Sequence, residues 1–322
     1  MQRSVKSTYM KLLFLLLPIL LFSQNDSPYI PWFTGPFLSP TPTNPDPAHP
    51  AIQPGFTVRT NYGNYNSNWE VKTNDPIVSI NPYLDFNMGI TKNIGLEIYV
   101  IYRSVFQNGN NFNHFQDTLL FFGYQISNNK KDSWIPDTRL DLAASLPSGK
   151  YQKLDPQKNS IDSTGSGSYE IGPLFTVRKL FYLTKNQIHI QGSINYLFPT
   201  KVKVKGFNSY GGGYKTRGKV RPGQLLNAFF SAELSLTQRW GIIFETLFRY
   251  QQRSTFSGTP GLTPAGKPTT VGLPSSFRIS FAPELEYNIS AKNGILTGIW
   301  FSVAGQNTSA FATYFLSYVH QF

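Results

Sequence analysis

The end of the sequence most narrows the choice of fold, because its side chains alternate from Ser309 to Phe322. Successive side chains of an extended strand point to opposite faces. One face would be almost wholly apolar or aromatic, and it consists of Ala310, Ala312, Tyr314, Leu316, Tyr318, His320 and Phe322. The other face would carry Phe311, Thr313, Phe315, Ser317, Val319 and Gln321. The pattern predicts a β-strand whose two faces meet different surroundings.

From Gly55 onward, similar alternating stretches recur with turn residues between them, which indicates many strands and no substantial helix. Each stretch has about the 9–11 residues that a tilted membrane strand needs, or slightly more. The twelve predicted strands are Gln53–Tyr62, Val78–Met88, Ile94–Arg103, Thr118–Ile126, Thr138–Pro147, Tyr169–Phe181, Gln187–Phe198, Leu225–Leu236, Trp240–Gln251, Ser276–Ile289, Ile295–Gly305 and Ala310–Phe322.

The connections alternate in length. Those after even-numbered strands are mostly short, with Ser127–Asp137 as the longer one, whereas those after odd-numbered strands are mostly long, notably Ser148–Ser168, Pro199–Gln224 and Arg253–Ser275. Short periplasmic turns and long external loops are typical of an up-and-down antiparallel transmembrane β-barrel, and an even strand count would put both ends on the periplasmic side. The alternative is a soluble all-β sandwich or barrel with its apolar faces inside.

Charged side chains share one face of most predicted strands. In Trp240–Gln251, Glu245 and Arg249 oppose Phe244 and Phe248. An outward arginine near the bilayer midplane costs about 2–4 kcal/mol, so we expect the charged faces to point inward.

Three places depart from this regularity. The stretches Thr118–Ile126 and Ile295–Gly305 do not sort into a polar and an apolar face. Pro283 lacks a backbone donor for the ladder, and we expect a β-bulge there.

Residues 1–24 have the pattern of a secretory signal peptide. Arg3, Lys6 and Lys11 precede and flank the apolar run Leu12–Phe22, and small polar residues follow at 23–24. The run is shorter than the roughly 20 residues of a membrane helix; a retained anchor is the alternative. The absence of cysteine excludes a lipoprotein-type anchor and a disulfide framework.

Residues 25–54 hold nine prolines and therefore predict a segment outside the sheet. It would either be a floppy leader or tuck into the barrel mouth as a plug. Its aromatic residues Trp32, Phe33 and Phe37 suit docking. We therefore divide the chain into a signal peptide (1–24), a Pro-rich segment (25–54) and a barrel (55–322).

The composition suits a membrane barrel. A mean hydropathy of −0.25 coexists with 26 Phe, 18 Tyr and 5 Trp, and barrels use aromatic residues as two interfacial girdles. The net charge of +12 comes with basic loops around 150–153, 201–205 and 215–221, which would face lipopolysaccharide or external solutes. Nucleic acid is not an expected partner of an exported chain.

The expected inner faces collect acids and arginines. Buried charges must be paired or hydrated, so they would either brace a narrow interior as ion pairs or form a constriction that orients a passing solute. The candidate lumen residues are Arg59, Asp85, Glu97, Arg103, Arg139, Asp141, Glu170, Arg178, Glu233, Glu245, Arg249, Arg278, Glu284 and Glu286.

Catalytic and cofactor patterns are weak. None of the four histidines stands in a zinc-type motif. His189, Ser193 and Asn195 share a strand face, but an outer-membrane phospholipase would need them toward lipid rather than the lumen. Gly213–Lys219 matches a phosphate-loop spacing, yet Val220 replaces the metal-binding hydroxyl residue. We expect no enzyme activity, metal or cofactor.

Residues Thr138–Lys205 sharpen the assignment. They contain the turn Pro147-Ser148-Gly149, the Gly/Ser-rich loop end Thr164–Ser168, the pair Gly172-Pro173 and the run Gly192–Tyr196. This pattern resembles the outer-membrane barrel family named for the phenol meta-degradation pathway, and Trp32–Pro40 is similar to a leader in some relatives. The resemblance implies uptake of small, often aromatic or hydrophobic compounds and brings no catalytic residues.

Two functions remain open at this point. The first is an outer-membrane channel for passive uptake of small solutes. The second is a non-conducting surface protein that binds a partner through long loops such as Pro199–Gln224. In both cases Phe322 resembles the terminal aromatic that the barrel-assembly machinery reads.

Overall fold

The computed structural model describes residues 29–129, 133–158, 160–183 and 185–322. The predicted signal peptide lies outside the described residues. Sixteen strands are present, and twelve of them close into an antiparallel barrel. The barrel strands are β1 (Ala51–Tyr65), β2 (Val71–Gly89), β3 (Ile94–Gln107), β5 (Thr118–Ser127), β6 (Asp137–Leu146), β7 (Glu170–Tyr182), β8 (Gln187–Pro199), β11 (Leu225–Ser235), β12 (Trp240–Gln251), β14 (Ser276–Ser290), β15 (Asn293–Gln306) and β16 (Thr308–Gln321). The others are β4 (Asn110–Phe115), β9 (Val202–Lys205), β10 (Arg217–Arg221) and β13 (Thr255–Thr259).

Each barrel strand pairs with its neighbours along the chain, and β1 pairs with both β16 and β2. The β2–β3 pairing completes the circle, so no barrel strand is left with an open edge. Closure satisfies the backbone hydrogen bonds internally, as a hydrocarbon environment requires. The predicted twelve-stranded antiparallel barrel is confirmed.

The two ends of the barrel differ. The "turn end" holds the connections at 90–93, 236–239 and 291–292, together with the start of β1 and the end of β16. The "loop end" holds the long connections 147–169, 200–224 and 252–275. The barrel is therefore asymmetric in the way that the connection lengths predict.

The surface of the barrel is inside-out relative to a soluble protein. On β12 the side chains of Phe244 and Phe248 are 44% and 41% exposed, whereas Glu245 between them is fully buried. The outer face of β16 likewise exposes Tyr314 and Tyr318. A belt of exposed aromatic and aliphatic side chains is stable against acyl chains, so this is the surface of an outer-membrane β-barrel.

The described residues contain no helix that is both long enough and apolar enough to span a bilayer. Helical structure in this part of the chain is represented by one 3-10 turn, Pro156–Lys158, in a loop.

The structure assigns faces where the sequence pattern does not. On β5, Gly123 and Gln125 point inward while Phe122 and Tyr124 are exposed. On β15, Trp300 points inward and donates a hydrogen bond from Nε1 to Ser280 Oγ at 2.9 Å. On both strands, inward-pointing aromatic side chains make the two faces hard to tell apart in the sequence.

The predicted bulge at Pro283 is wrong. Its ladder with β15 stays in step across the proline, from Phe281 opposite Phe301 to Glu284 opposite Gly298. The register shifts instead between Ile279 and Ser280. The missing donor therefore causes no insertion of an extra residue.

The three longest loops join into one folded unit outside the barrel. Strands β9 and β10 of the second loop and strand β13 of the third loop form a small antiparallel sheet. Val202, Val204 and Val220 on its inner face pack with Tyr210, and Tyr151 of the first loop covers them. We call β9, β10 and β13 the "loop sheet".

Candidate functional site

All the predicted lumen residues lie on inward-facing positions of the barrel strands, in phase with buried neighbours. They fall into an acidic group near the turn end, two ion pairs, and a group of arginines toward the loop end. Their role in solute passage stays a prediction.

The N-terminal segment, residues 29–50, lies inside the barrel. It starts at β11, where the Tyr29 hydroxyl donates to the Ser235 carbonyl oxygen. It then rises past the inner faces of β12 and β14 and returns past β6 and β5. At the turn end it leads directly into β1, and the Phe322 backbone N–H donates to the Pro50 carbonyl oxygen at 2.9 Å. The segment is a loop within the lumen.

Acidic side chains hold the rising half of this segment by its backbone. Glu245 accepts hydrogen bonds from the N–H groups of Leu38 and Ser39, the latter at 2.7 Å. Glu284 accepts from Phe37 N–H at 3.2 Å. A carboxylate that accepts backbone N–H groups replaces the strand or helix partner that a Pro-rich segment lacks.

The same contacts continue toward the turn end. Glu233 accepts from Gly35 N–H at 3.1 Å, and Glu286 accepts from Thr34 N–H. Glu233 also contacts His189 at 3.1 Å, and the ring of Phe33 packs on that histidine. His189 is thus buried in a lumen contact and does not face lipid.

Polar side chains of β5, β6 and β8 hold the returning half. Arg139 donates from Nη1 to the Thr43 carbonyl oxygen at 3.3 Å. Gln191 donates to the Pro40 carbonyl oxygen at 2.8 Å, and Gln125 accepts from Asn44 N–H at 3.1 Å. The segment is therefore anchored on opposite sides of the lumen.

Two predicted residues of this region form a fully buried ion pair. Arg139 Nη2 lies 2.8 Å from Asp141 Oδ1. A Cβ on Gly123 would lie 2.2 Å from Arg139 Nε, so the absence of a side chain there makes room for the pair. This pair fits the bracing interpretation.

A second ion pair brings in a residue that the sequence reasoning missed. Arg178 contacts Asp137 at 3.0 Å, and the two positions are directly opposite on β7 and β6. Asp137 is the first residue of β6, whereas the sequence pattern places it in the connection Ser127–Asp137. Nothing in the sequence therefore indicates that its side chain points inward. Of the remaining acids, Asp85 and Glu97 lie beside each other, with Glu97 close to Thr41.

Aromatic packing also fixes the rising half of the segment. The ring of Phe37 stacks on Phe315, with centroids 4.0 Å apart and planes 8° from parallel. Ile243, Leu296 and Trp300 pack around this pair. A Cβ on Gly89, near the turn end, would lie 2.2 Å from the Pro45 carbonyl oxygen, which shows how closely the segment approaches the wall.

Four arginines line the lumen on the loop side of Phe37, and we call them the "arginine wall". They are Arg59 on β1, Arg103 on β3, Arg249 on β12 and Arg278 on β14. Arg249 and Arg278 are directly opposite on neighbouring strands. Arg59 lies over the Phe311 ring at 3.7 Å, and Arg278 lies 5.0 Å from the same ring.

The opposite side of the lumen carries an apolar cluster. Leu174, Leu197 and Leu225 are buried with Ala143, and Phe121 packs against them. We call these five residues the "apolar wall". Leu225 is opposite Gln251, two positions beyond Arg249 on β12, so the two walls approach each other at the loop end. Glu170, which begins β7, is the acid whose charge acts on Arg249.

The sequence analysis missed the inward aromatic residues and the apolar wall. Phe311, Phe315 and Trp300 were indistinguishable by type from lipid-facing aromatics. Within the described part of the chain, no group of three or more acidic or histidine side chains is placed to hold a metal ion.

The fold is similar to that of a solved outer-membrane channel. The COG4313 outer membrane channel from Pseudomonas putida F1 has a TM-score of 0.68 at 12% identity, over 89% of this chain and 100% of that chain. The NanC porin (TM-score 0.43, 10% identity, 84% of this chain and 100% of that chain) and the Pseudomonas putida toluene transporter TodX (0.40, 11%, 86% and 90%) are more distant. At 12% identity, the similarity to the COG4313 channel shows a shared fold.

No protein-family model matches the sequence, and none of the curated proteins matches it.

Proposed function

We propose that the protein is an outer-membrane channel for passive uptake of small solutes. The loop end would face outside and the turn end the periplasm. The observation that carries this proposal is the lumen itself, in which inward polar and charged side chains surround a separate chain segment rather than a dry core. A barrel with a purely structural interior has no need of a lumen that one peptide segment fills.

In this proposal residues 29–50 are the plug. Their contacts with the wall are hydrogen bonds from backbone and side-chain groups and aromatic packing at Phe33 and Phe37. Such contacts can break without disturbing the strand ladders. Removal of the plug would leave the acidic side chains facing water and open a path along them.

The solute class follows from the apolar wall and from the resemblance of Thr138–Lys205. Leu174, Leu197 and Leu225 form a buried apolar cluster toward the loop end. A lumen wall with such side chains suits hydrophobic or aromatic solutes, which fits the uptake family named for the phenol meta-degradation pathway. Membership of that family stays a proposal.

Conductance in a planar bilayer tests the channel function. The mature protein is compared with a variant that lacks residues 25–48 and keeps His49 and Pro50, which contact Phe322. We expect small or rare openings of the first and larger, persistent openings of the second. The absence of openings from both proteins, when gel mobility shows that both are folded, would contradict the channel function.

The loop sheet favours a second candidate, a surface protein that binds a partner. Lys203, Lys205, Arg217, Lys219 and Arg221 are exposed on its outer face. This basic face suits the phosphates of neighbouring lipopolysaccharide. A folded protein that never conducts, yet loses binding to lipopolysaccharide when these residues are changed to Gln, would favour this candidate over the channel.

A further inference from the structure

The arginine wall carries four positive charges and, among the described residues, no ion pair; Glu170 acts on Arg249 from beyond ion-pair distance. Among the described residues, the ion pairs of arginine are Arg139 with Asp141 and Arg178 with Asp137. None of the four arginines of the wall forms one with a described residue. In this the wall differs from Arg139 and Arg178, which are paired.

The arrangement concentrates the charge. Arg249 and Arg278 face each other across one rung of the ladder, where like charges destabilise a sheet. Arg59 is close enough for Arg103, Arg249 and Arg278 all to act on its charge. Such a cluster of like charges does not stabilise the fold unless a bound anion neutralises it.

The guanidinium donors are also incompletely used. The Nε atoms of Arg103 and Arg278 are buried, and neither has a hydrogen-bond acceptor among the described residues. A buried donor without an acceptor destabilises the fold. Arg59 donates hydrogen bonds to Asn61 and Ser309, and its stacking on Phe311 fixes the plane of its guanidinium.

We propose that the arginine wall binds the carboxylate or phosphate group of a small organic anion whose apolar body lies against the apolar wall. The inference rests on the proposed channel function and names the class of its solute. Guanidinium groups bind such oxyanions with two parallel hydrogen bonds, which a point charge does not offer. The solute would be held between Phe37 below and the loop sheet above.

Position supports the pairing of the two walls. The wall arginines lie on β1, β3, β12 and β14, whereas the apolar wall comes from β5, β6, β7, β8 and β11. In the strand order of the barrel, these are two separate arcs. A solute with one charged end and one apolar end matches both arcs at once.

Calorimetric titration of the folded mature protein in detergent tests this site without any variant. Benzoate and phenyl phosphate are compared with benzamide, which has the same ring without charge, and with acetate, which has the charge without the ring. We expect at least one of the two aromatic anions to bind tenfold or more tightly than both benzamide and acetate. Tighter benzoate assigns a carboxylate, and tighter phenyl phosphate a phosphate. Benzamide or acetate that binds as tightly as both anions would overturn the proposal.

Variants locate the site. Arg59→Gln and Arg278→Gln should weaken binding of the better anion tenfold or more. Arg253→Gln, the same change at an exposed arginine after β12, should leave it unchanged. Unchanged binding in both lumen variants, with their folded gel mobility intact, would overturn the assignment.

Ion selectivity separates this inference from the channel function. The variant without residues 25–48 should conduct with anion preference in a salt gradient, and Arg59→Gln should reduce that preference. Conductance without anion preference or anion binding would overturn the site and leave the channel. Anion binding without any conductance would overturn the channel and leave the site.

Discussion

Phe37 of the N-terminal segment stacks face to face on Phe315 of the last barrel strand. The two rings join the rising half of the segment to the last strand of the barrel. Buried aromatic pairs contribute about 0.5–1.5 kcal/mol beyond their burial. This stack is therefore a fastening point of the segment.

The change Phe37→Ala should loosen the seated segment. Phe37 is half-buried, so its loss should cost less than the about 3–5 kcal/mol of a fully buried phenylalanine, and here the loss falls on the seated state alone. We expect larger or more frequent openings in planar bilayers. Phe198→Ala, a change of an exposed outer-face phenylalanine, is the control and should leave the openings unchanged. Identical traces from Phe37→Ala and the wild type would show that the stack does not fasten the segment.

Glu245→Gln should weaken the backbone anchor at Leu38 and Ser39. Each carboxylate oxygen of Glu245 accepts one backbone N–H. A glutamine side chain has only one oxygen, so its NH2 group would face the second N–H, from which it cannot accept. The expected cost of about 1–3 kcal/mol should speed chymotrypsin cleavage of the segment about tenfold. Glu170→Gln, at the loop end, is the matched control. Equal cleavage rates in both variants would contradict this role of Glu245.

Phe244→Arg should destabilise the barrel, because this outward side chain near the middle of β12 would place a charge in lipid. A lipid-facing arginine costs up to about 2–4 kcal/mol, and urea unfolding in lipid vesicles measures the loss. Phe244→Leu keeps the position apolar and should cost less than half as much. If arginine and leucine behave alike, the exposed face of β12 does not contact lipid.

Removal of Phe322 should lower the yield of folded barrel in the outer membrane. Its backbone contacts Pro50, and its carbonyl oxygen lies 2.7 Å from His49 Nδ1, so it also seals the end of the segment. Membrane fractionation after expression measures the yield, with Phe198→Ala as a control aromatic deletion. A normal yield without Phe322 would show that assembly does not depend on it.

Lys219→Glu should stabilise the loop sheet. Lys219 is directly opposite Lys203, and replacing a like-charge pair by an opposite pair is worth about 0.2–1 kcal/mol. Hydrogen exchange of the β10 amides should slow by up to about fivefold. Lys215→Glu, in the preceding turn, serves as control and should have a smaller effect. Faster exchange after Lys219→Glu would contradict the repulsion.

The barrel was predictable because a two-residue period and alternating connection lengths survive in the sequence. Trp240–Gln251, for example, is predicted with the bounds that the structure has. The four additional strands β4, β9, β10 and β13 are short, with four to six residues each. β4 forms a hairpin with β3 across the two-residue turn 108–109, whereas the pairing of β10 with β13 joins two different loops, which a local pattern does not contain.

The lumen was predictable in composition but not in arrangement. Charge alone indicates that Arg249 and Arg278 point inward, because lipid rejects them. It does not indicate that the two are partners across a ladder, since that depends on register. Nor does it indicate that Glu245 serves a distant backbone, because Leu38 and Ser39 carry no signal for a carboxylate partner.

The N-terminal segment is continuous with β1, since Pro50 is followed at once by the strand residue Ala51. A segment that leaves the lumen therefore remains tethered at the mouth that it left. Its return is a unimolecular step, and a short tether keeps its effective concentration in the millimolar range. Reclosure would then be independent of how many copies the membrane holds, and a free peptide of the same sequence would compete only at comparable concentrations.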